Sequence, residues 1–394
     1  MTNSATAKAA ALRQLPLILA VCVGSGLAHI GTSTMPFQIG ALIDGDHRSA
    51  SQAGVFGFLE VAALAAGMIL ISARIDRVSP RWIALTGSAF VVVANGGLYF
   101  VHPLHLQLAL AVLVGMGYGL VFAATIAGAA ATAQPDRVYA IGNGGALLMI
   151  TAIIGTIPAA STRLGPLGLF IGLAVLALVC APFFLAFKFG ARTAETRLAA
   201  WRTPGAPGLL FAWAAYSAGA GGLYAFSERI GTSIALPPKQ IAAVLSIGVF
   251  VGLLGTGAVA LLGRNVNRCG ALIVGIGGSG LSCLLLGFAT NLGLFAAGVF
   301  SYWVFTMFLY SYLQGTAAIL DATGRVGTLG GGLERLGYAV GTAIAGVLAE
   351  HTTYSSTGVL GFVSCALGLA VGYPSLFRAL KRIGAGPICE KRAS

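Results

Sequence analysis

The sequence predicts an all-α integral membrane protein of twelve transmembrane helices, arranged as two parallel, pseudo-symmetric six-helix bundles. Three observations predict it. Of 394 residues, 57% are hydrophobic and only 9% charged, with a mean hydropathy of +0.90. A soluble domain carries about 25% charged residues, so lipid must be the solvent for most of this surface. Next, Arg137-Val138-Tyr139-Ala140-Ile141-Gly142-Asn143-Gly144 returns 188 residues later as Arg325-Val326-Gly327-Thr328-Leu329-Gly330-Gly331-Gly332. A second pair, Ser72–Ser79 and Gly263–Gly270, lies 191 residues apart. Two offsets near half the chain length imply a duplication with both halves in the same orientation. Last, the basic residues fall on one side of the expected spans.

A helix needs about 20 apolar residues to cross the hydrocarbon core. In order, spans are expected over 15–40, 52–73, 82–101, 106–131, 138–160 and 167–187, then over 208–231, 240–262, 271–290, 292–319, 326–349 and 358–378. Residues 1–187 form the first bundle, 188–207 a polar linker, and 208–394 the second bundle with a short basic tail. With both termini in the cytoplasm, eighteen Lys and Arg fall inside, and only Arg48, Arg163 and Lys239 outside. That is the positive-inside rule, which sets the orientation of the spans; a bacterial inner membrane is the expected location. The +12 net charge is therefore a topology signal, and nucleic acid is not an expected partner. The first apolar run is too long for a signal peptide and stays a span.

Among 57 glycines, Gly115/Gly119, Gly248/Gly252, Gly337/Gly341 and Gly368/Gly372 form small-xxx-small pairs inside apolar runs, as close helix packing needs. The six cysteines show no CxxC and no His at metal spacing, so no metal is expected and most read as small buried hydrophobes.

Twelve spans in two halves, a longer central loop and a charged stretch after the second span together resemble the major facilitator superfamily. Its signature in that loop runs approximately Gly-x-Leu-x-Asp-Arg-x-Gly-Arg-Lys/Arg. Asp76, Arg77 and Arg81 fit, whereas Ser72, Arg74, Ser79 and Pro80 depart from it. The second copy keeps Gly263, Arg268 and Gly270 but has Asn267 in place of the acid. The resemblance implies a secondary transporter working by alternating access around a midplane cavity. It also implies a conformational lock of Asp76, Arg77, Arg81 and Arg268, joined by the repeated Arg137 and Arg325. Many proton-coupled drug antiporters of that superfamily carry an Arg in span 4 and a Gly-Pro-rich motif in span 5. Here span 4 has no charge, and span 5 offers only Gly155-Thr156-Ile157-Pro158.

An ionisable group at mid-membrane depth costs roughly 2.5–3.5 kcal/mol, so such groups face a partner or a cavity. Glu334 and Arg335 lie roughly 12–14 Å into span 11, and point about 100° apart. They serve substrate or proton, or form an interhelical bridge. Glu60, comparably deep in span 2, either carries a proton or is hydrogen-bonded to Ser, Thr or backbone. His29, central in span 1, is a ligand or a packing residue. Glu228 and Arg229 close span 7 as an outer gate or by snorkelling, and Asp44, Asp46 and Arg48 read as solvated. Trp303, Tyr310 and Gln314, with Thr306, make a stripe on span 10 suited to an aromatic ligand or to helix packing; Tyr118 and Tyr224 are weaker candidates.

Gly275–Gly280 satisfies GxGxxG but lies inside span 9 with no strand before it, so it is not a dinucleotide site. No Walker, GxSxG or HExxH sequence occurs, and no enzyme is expected. The expected function is proton-coupled transport of a small organic anion, an aromatic or aliphatic carboxylate, with no cofactor and the chain working as a monomer. Efflux of a hydrophobic cation, drug or neutral metabolite is the alternative, and a non-transporting membrane sensor the third reading.

Overall fold

The computed structural model describes residues 2–72, 78–130, 135–187, 203–262, 267–320 and 325–382, with backbone alone for residues 2–14. Helices α1 (Thr2–Asp46), α2 (Ala50–Ser72), α3 (Pro80–Phe100), α4 (Leu104–Ala130), α5 (Pro135–Leu164) and α6 (Gly168–Cys180, continued by a 3-10 turn to Ala186) follow the six spans expected of the first half. The second half runs α7 (Ala206–Ala225), α8 (Ser227–Ser233), α9 (Pro238–Leu262), α10 (Arg268–Gly287), α11 (Leu292–Leu320), α12 (Arg325–His351), α13 (Ser355–Leu367) and α14 (Tyr373–Arg382). No strand occurs among the described residues.

Counting α13, the turn after it and α14 as one span (Ser355–Arg382), ten helical spans among the described residues are long and apolar enough to cross a membrane, and the pair α7–α8, bent by 43° at Phe226, makes an eleventh. Helix α12 is as long as the others, but Glu334, Arg335 and its glycine-rich start lower its apolarity. It occupies the position expected of span 11. The protein is thus a multi-pass membrane protein. Large apolar side chains such as Leu70, Phe100, Leu254 and Leu261 are exposed on the surface, as lipid contact requires.

Several boundaries differ from expectation for local reasons. Helix α1 runs on to Asp46 rather than ending near residue 40, and stops where His47 takes a left-handed conformation, φ 53°. Between α13 and α14 a π-turn spans Gly368–Gly372. Pro374 follows it and offers no N–H to an α-helical ladder, the usual setting for such a bulge.

Two compact units result. One comprises residues 1–34 with 59–195, the other residues 35–58 with 196–394. The end of α1 and the start of α2 therefore group with the second unit.

Inside each unit the small residues set how closely helices approach. A Cβ on Gly115 or Gly119 would lie 2.0 Å from the Glu60 carbonyl oxygen or 2.3 Å from that of Leu64, so α4 rides on the backbone of α2. In the second unit a Cβ on Gly337 or Gly341 would lie 2.4 Å from the Ala214 oxygen or 1.8 Å from that of Ala218, and α12 rides on α7. Gly248 and Gly252 receive Trp303 and Met307 of α11, and a Cβ on Gly372 would lie 2.5 Å from the Gly208 oxygen. All four glycine pairs singled out in the sequence thus lie at helix contacts.

The repeated motif is also repeated in geometry. Val138 and Val326 are both buried. Gly142 sits against Val21 of α1, and Gly330 against Trp213 of α7. Two residues on, a Cβ at Gly144 or Gly332 would meet nothing within 4 Å.

Candidate functional site

Three polar constellations lie within the units. The tightest is at one end of the second unit. Arg229, in the short helix α8, is 6% exposed. Its Nη1 and Nη2 donate to Asp44 Oδ1 and Oδ2, both at 2.7 Å, and its Nε donates to Glu228 Oε2 at 2.5 Å. Thr232 Oγ1 donates to Glu228 Oε1 at 3.1 Å, fixing the second carboxylate. The guanidinium fork is satisfied on two edges, the arrangement in which a buried Arg is stable. Gly40 makes room for it, since a Cβ there would lie 2.5 Å from Glu228 Oε2. Asp44 was expected to be solvated. Its side chain is indeed half exposed, at 52%, yet it is held bidentately by Arg229. Nothing in local spacing links two residues 185 apart.

The same hairpin is held a second time. Ser51 N–H, in the first turn of α2, donates to Glu350 Oε2 at 2.8 Å. Glu350 lies beyond the apolar part of α12. Hydrogen bonds from Ser49 and from the Ser51 side chain and backbone hold its carboxyl down at about 2. Between these contacts α2 and α12 approach at backbone distance: a Cβ on Gly54 would lie 2.9 Å from the Thr342 oxygen, and one on Gly346 2.6 Å from that of Ala50.

Half-way along α11 and α12 lies the second constellation. Gln314 Nε2 donates to Tyr310 Oη at 3.3 Å, and the charges of Glu334 and Arg335 both act on that tyrosine. All four side chains are half-buried. The Glu334 backbone oxygen accepts from Ser217 Oγ at 2.7 Å, which pins α12 to α7 at this level. The upper part of the stripe is packing. Trp303, 8% exposed, stands edge-on to Tyr224 at 5.4 Å and to Tyr302 at 5.9 Å. Thr306 accepts from Tyr216 Oη at 3.0 Å, and Tyr310 lies edge-on to Trp213 at 6.1 Å. The sequence stripe therefore divides: Trp303 and Thr306 bind α7, while Tyr310 and Gln314 join Glu334 and Arg335.

The third constellation is in the first unit. Glu60 is 1% exposed, and its Oε1 would lie 2.5 Å from a Cβ on Gly31 of α1. Tyr118 of α4 lies against the same glycine. Its hydroxyl is aimed at the amide of Asn95 on α3. Asn95 was not foreseen, although an Asn inside an apolar span is a visible signal. His29, half-buried, donates from Nδ1 to Ser25 O at 2.8 Å and packs edge-on to Phe122 at 4.8 Å.

Of the lock residues, Asp76 and Arg77 lie outside the described residues, as do the side chains of Arg137 and Arg325. Arg81 lies 5.5 Å from the ring centroid of Trp82. Arg268 stands 5.9 Å over the ring of Tyr312 and donates from Nη1 to Thr316 Oγ1 at 3.5 Å, seating the end of α10 on α11. Among the described residues no group of three or more His, Cys, Asp or Glu could hold a metal ion.

No family model matches the chain, and no curated protein matches its sequence. Solved structures do. The nucleoside transporter NupG matches over 92% of this chain and 100% of its own, with a TM-score of 0.73 at 13% identity. A bacterial homologue of the human lysosomal transporter Spinster, in an inward-facing and unoccupied conformation, matches over 93% of this chain and 95% of its own, with a TM-score of 0.68 at 11% identity. Both are major facilitator transporters, and the chain has the major facilitator fold.

Proposed function

We propose that the protein is a secondary active carrier rather than an enzyme, moving a small organic anion, an aromatic or aliphatic carboxylate, together with protons by alternating access. The observation that carries the anion is Arg335, a permanent cation half-way along a spanning helix beside Tyr310 and Gln314. A guanidinium fork suits a carboxylate, and the tyrosine ring and amide suit an aromatic body with polar edges. Glu334 beside it favours the second reading, export of a hydrophobic cation or neutral metabolite. Nucleosides, the cargo named for NupG, are a third class that Tyr310 and Gln314 would fit.

By the positive-inside rule the end bearing Asp44, Arg229 and Glu350 faces outward and both termini face the cytoplasm. Arg229 then acts as the outer gate together with Asp44 and Glu228, and its release from Asp44 frees the 35–58 hairpin. The Asp76, Arg77 and Arg81 loop, with Arg268, Arg137 and Arg325, would brace the cytoplasmic end. Flux in proteoliposomes against labelled carboxylates, lipophilic cations and nucleosides, with and without a pH gradient, tests the reading. Carboxylate uptake driven by an inward proton gradient is expected, and preferred transport of lipophilic cations would defeat the anion assignment.

A further inference from the structure

We propose that the exposed face of α14 binds an anionic phospholipid, its phosphate held by Arg378, Lys381 and Arg382 and an acyl chain laid along α13. The proposal concerns the protein's boundary with the bilayer and does not depend on what the carrier moves.

Length places the cations at the right depth. The last span, Ser355–Arg382, has 28 residues, or about 42 Å of helix, whereas the hydrocarbon core is about 30 Å thick. Ser355 to Pro374 already covers about 30 Å. With that stretch seated in the core, Arg378 lies about 6 Å beyond its edge, and Lys381 and Arg382 about 10–12 Å beyond. That is the headgroup layer, where lipid phosphates sit. Tyr373 and Phe377, with ring centroids 5.8 Å apart, mark the boundary between core and headgroups, the level at which tyrosines collect.

One continuous track joins the two regions. Val359, Val363, Leu367 and Val371 follow one another at four-residue spacing, and all four are exposed. Residues four apart share a helix face, so these side chains make a strip about 18 Å long, a bed for an extended acyl chain. Beyond it Pro374, Arg378, Lys381 and Arg382 are exposed too. The three cations fall within an arc of about 100°. The positive-inside rule accounts for basic residues at this end but not for their alignment with the apolar strip.

The cations are available. Arg378 Nε donates to Pro374 O at 3.3 Å, which leaves both Nη groups for a ligand. Among the described residues no carboxylate pairs with Arg378, Lys381 or Arg382. A guanidinium fork matches a phosphate through two parallel hydrogen bonds, and a lysine adds a point charge. Three uncompensated cations favour a lipid of net negative charge over a zwitterionic one, whose own ammonium would meet the same positive field.

Their platform is fixed on its other side. Leu376, Ala379 and Leu380 are buried. A Cβ on Gly205 would lie 2.6 Å from the Ala379 Cβ, and one on Gly208 3.2 Å from the Leu376 nitrogen. Helix α14 is thus seated on the start of α7 and holds its basic face in place.

Full-length protein in detergent is titrated with phosphatidylglycerol or phosphatidylcholine, and the lipid complexes are counted by native mass spectrometry. Phosphatidylglycerol should bind more tightly. Each cation beside an anionic lipid is worth about fivefold in affinity, so Lys381→Gln and Arg382→Gln should each weaken phosphatidylglycerol binding by about that factor. A triple variant, Arg378→Gln with Lys381→Gln and Arg382→Gln, should bind the two lipids equally. Arg163→Gln and Lys239→Gln, at exposed cations elsewhere, should match wild type. Inorganic phosphate and glycerophosphate carry the anion without the chains and should not displace the lipid. The three target side chains are exposed, so the variants should fold; the single variants keep the test decisive if the triple one does not. Equal affinity of wild type for both lipids, a wild-type preference in the triple variant, or an equal loss in Arg163→Gln and Lys239→Gln would overturn the proposal. So would displacement by inorganic phosphate, which would make the face a site for soluble anions instead.

Discussion

The two sequence halves share a scaffold and differ in chemistry. Gly142 and Gly330, 188 residues apart, each let a helix settle on the first helix of its own half, while Gly144 and Gly332 face open space. Buried Thr125 and Thr316, 191 apart, each turn back to the carbonyl of the preceding turn, at 2.8 and 2.6 Å. Arginines at the helix ends are repeated, Arg137 as Arg325 and Arg77 as Arg268, but the charges deep in the spans are not. Counting back 188 from Glu334 and Arg335 gives Ala146 and Leu147, and counting forward 188 to 191 from Glu60 gives Gly248, Val249, Phe250 and Val251. The first half buries Glu60 inside its helix packing; the second shows an acid and a base, Glu334 and Arg335, on a half-buried helix face. Packing is what the duplication retains, and each half has its own ionisable group.

The largest effect should come from breaking the shared packing. Gly341→Leu and Gly115→Leu each drive a side chain into a facing backbone carbonyl, and each should lower the thermal midpoint by an equivalent of about 3 kcal/mol or prevent folding. Gly144→Ala and Gly332→Ala, with open space beyond, should be neutral or stabilise by about 0.5–1 kcal/mol through helix propensity. Monodisperse yield and thermal unfolding would read all four. If one half tolerated the leucine, the two glycine interfaces would not be equivalent.

Next in size is the Arg229–Asp44 ion pair of the second unit. Arg229→Met leaves Asp44 and Glu228 facing each other without their cation, and removing one partner of a buried pair costs about 3–5 kcal/mol. Asp44→Asn should cost less, about 1–2 kcal/mol, because Asp44 is half exposed and Glu228 still holds the guanidinium. Accessibility of a cysteine placed at the neighbouring buried Ala41 would report opening, and equal reactivity in wild type and Asp44→Asn backgrounds would argue against a gate.

Arg335→Lys keeps the charge and loses the planar fork. Apparent affinity for a carboxylate substrate should fall on the order of tenfold, about 1.4 kcal/mol. A competition assay that finds unchanged affinity would leave Arg335 as a structural partner of a neighbouring acid.

Glu350→Gln should have the smallest effect. Its carboxyl is held at about 2, below the usual carboxylate value. Whatever it contributes to stability is full above that usual value and is lost as pH falls towards 2. The difference in thermal midpoint between wild type and Glu350→Gln should therefore shrink on acidification; a constant difference from neutral pH down to pH 3 would show that the carboxylate charge is not involved.

Helices, their order and their closest contacts were legible because each follows from local pattern. Apolar runs fixed the spans, and the small-xxx-small pairs located four interfaces. The bend at Phe226 was not legible, because no proline or glycine marks it. Helix α12 was, since Glu334 and Arg335 interrupt its apolar run without ending it. Among candidate site residues, Glu60, Glu334, Arg335 and Arg229 declared themselves by charge in an apolar context. Their partners did not: Asp44 stands near polar loop sequence where a solvated acid is the ordinary case, and Asn95 meets Tyr118 only through helix packing. Trp303 marks the converse limit, since a stripe at helical spacing does not say whether a neighbouring helix or a ligand covers it, and both readings were open for it.

Residues 35–58 group with the second unit although they are made with the first. A nascent chain that has completed only α1 to α6 presents Asp44, Ala50 and Gly54 with none of Arg229, Gly346 or Thr342 yet synthesised. The first half leaves the ribosome with an unfinished seam, and its maturation waits for α12. Separately expressed halves should accordingly be short-lived alone and stabilise one another when made together.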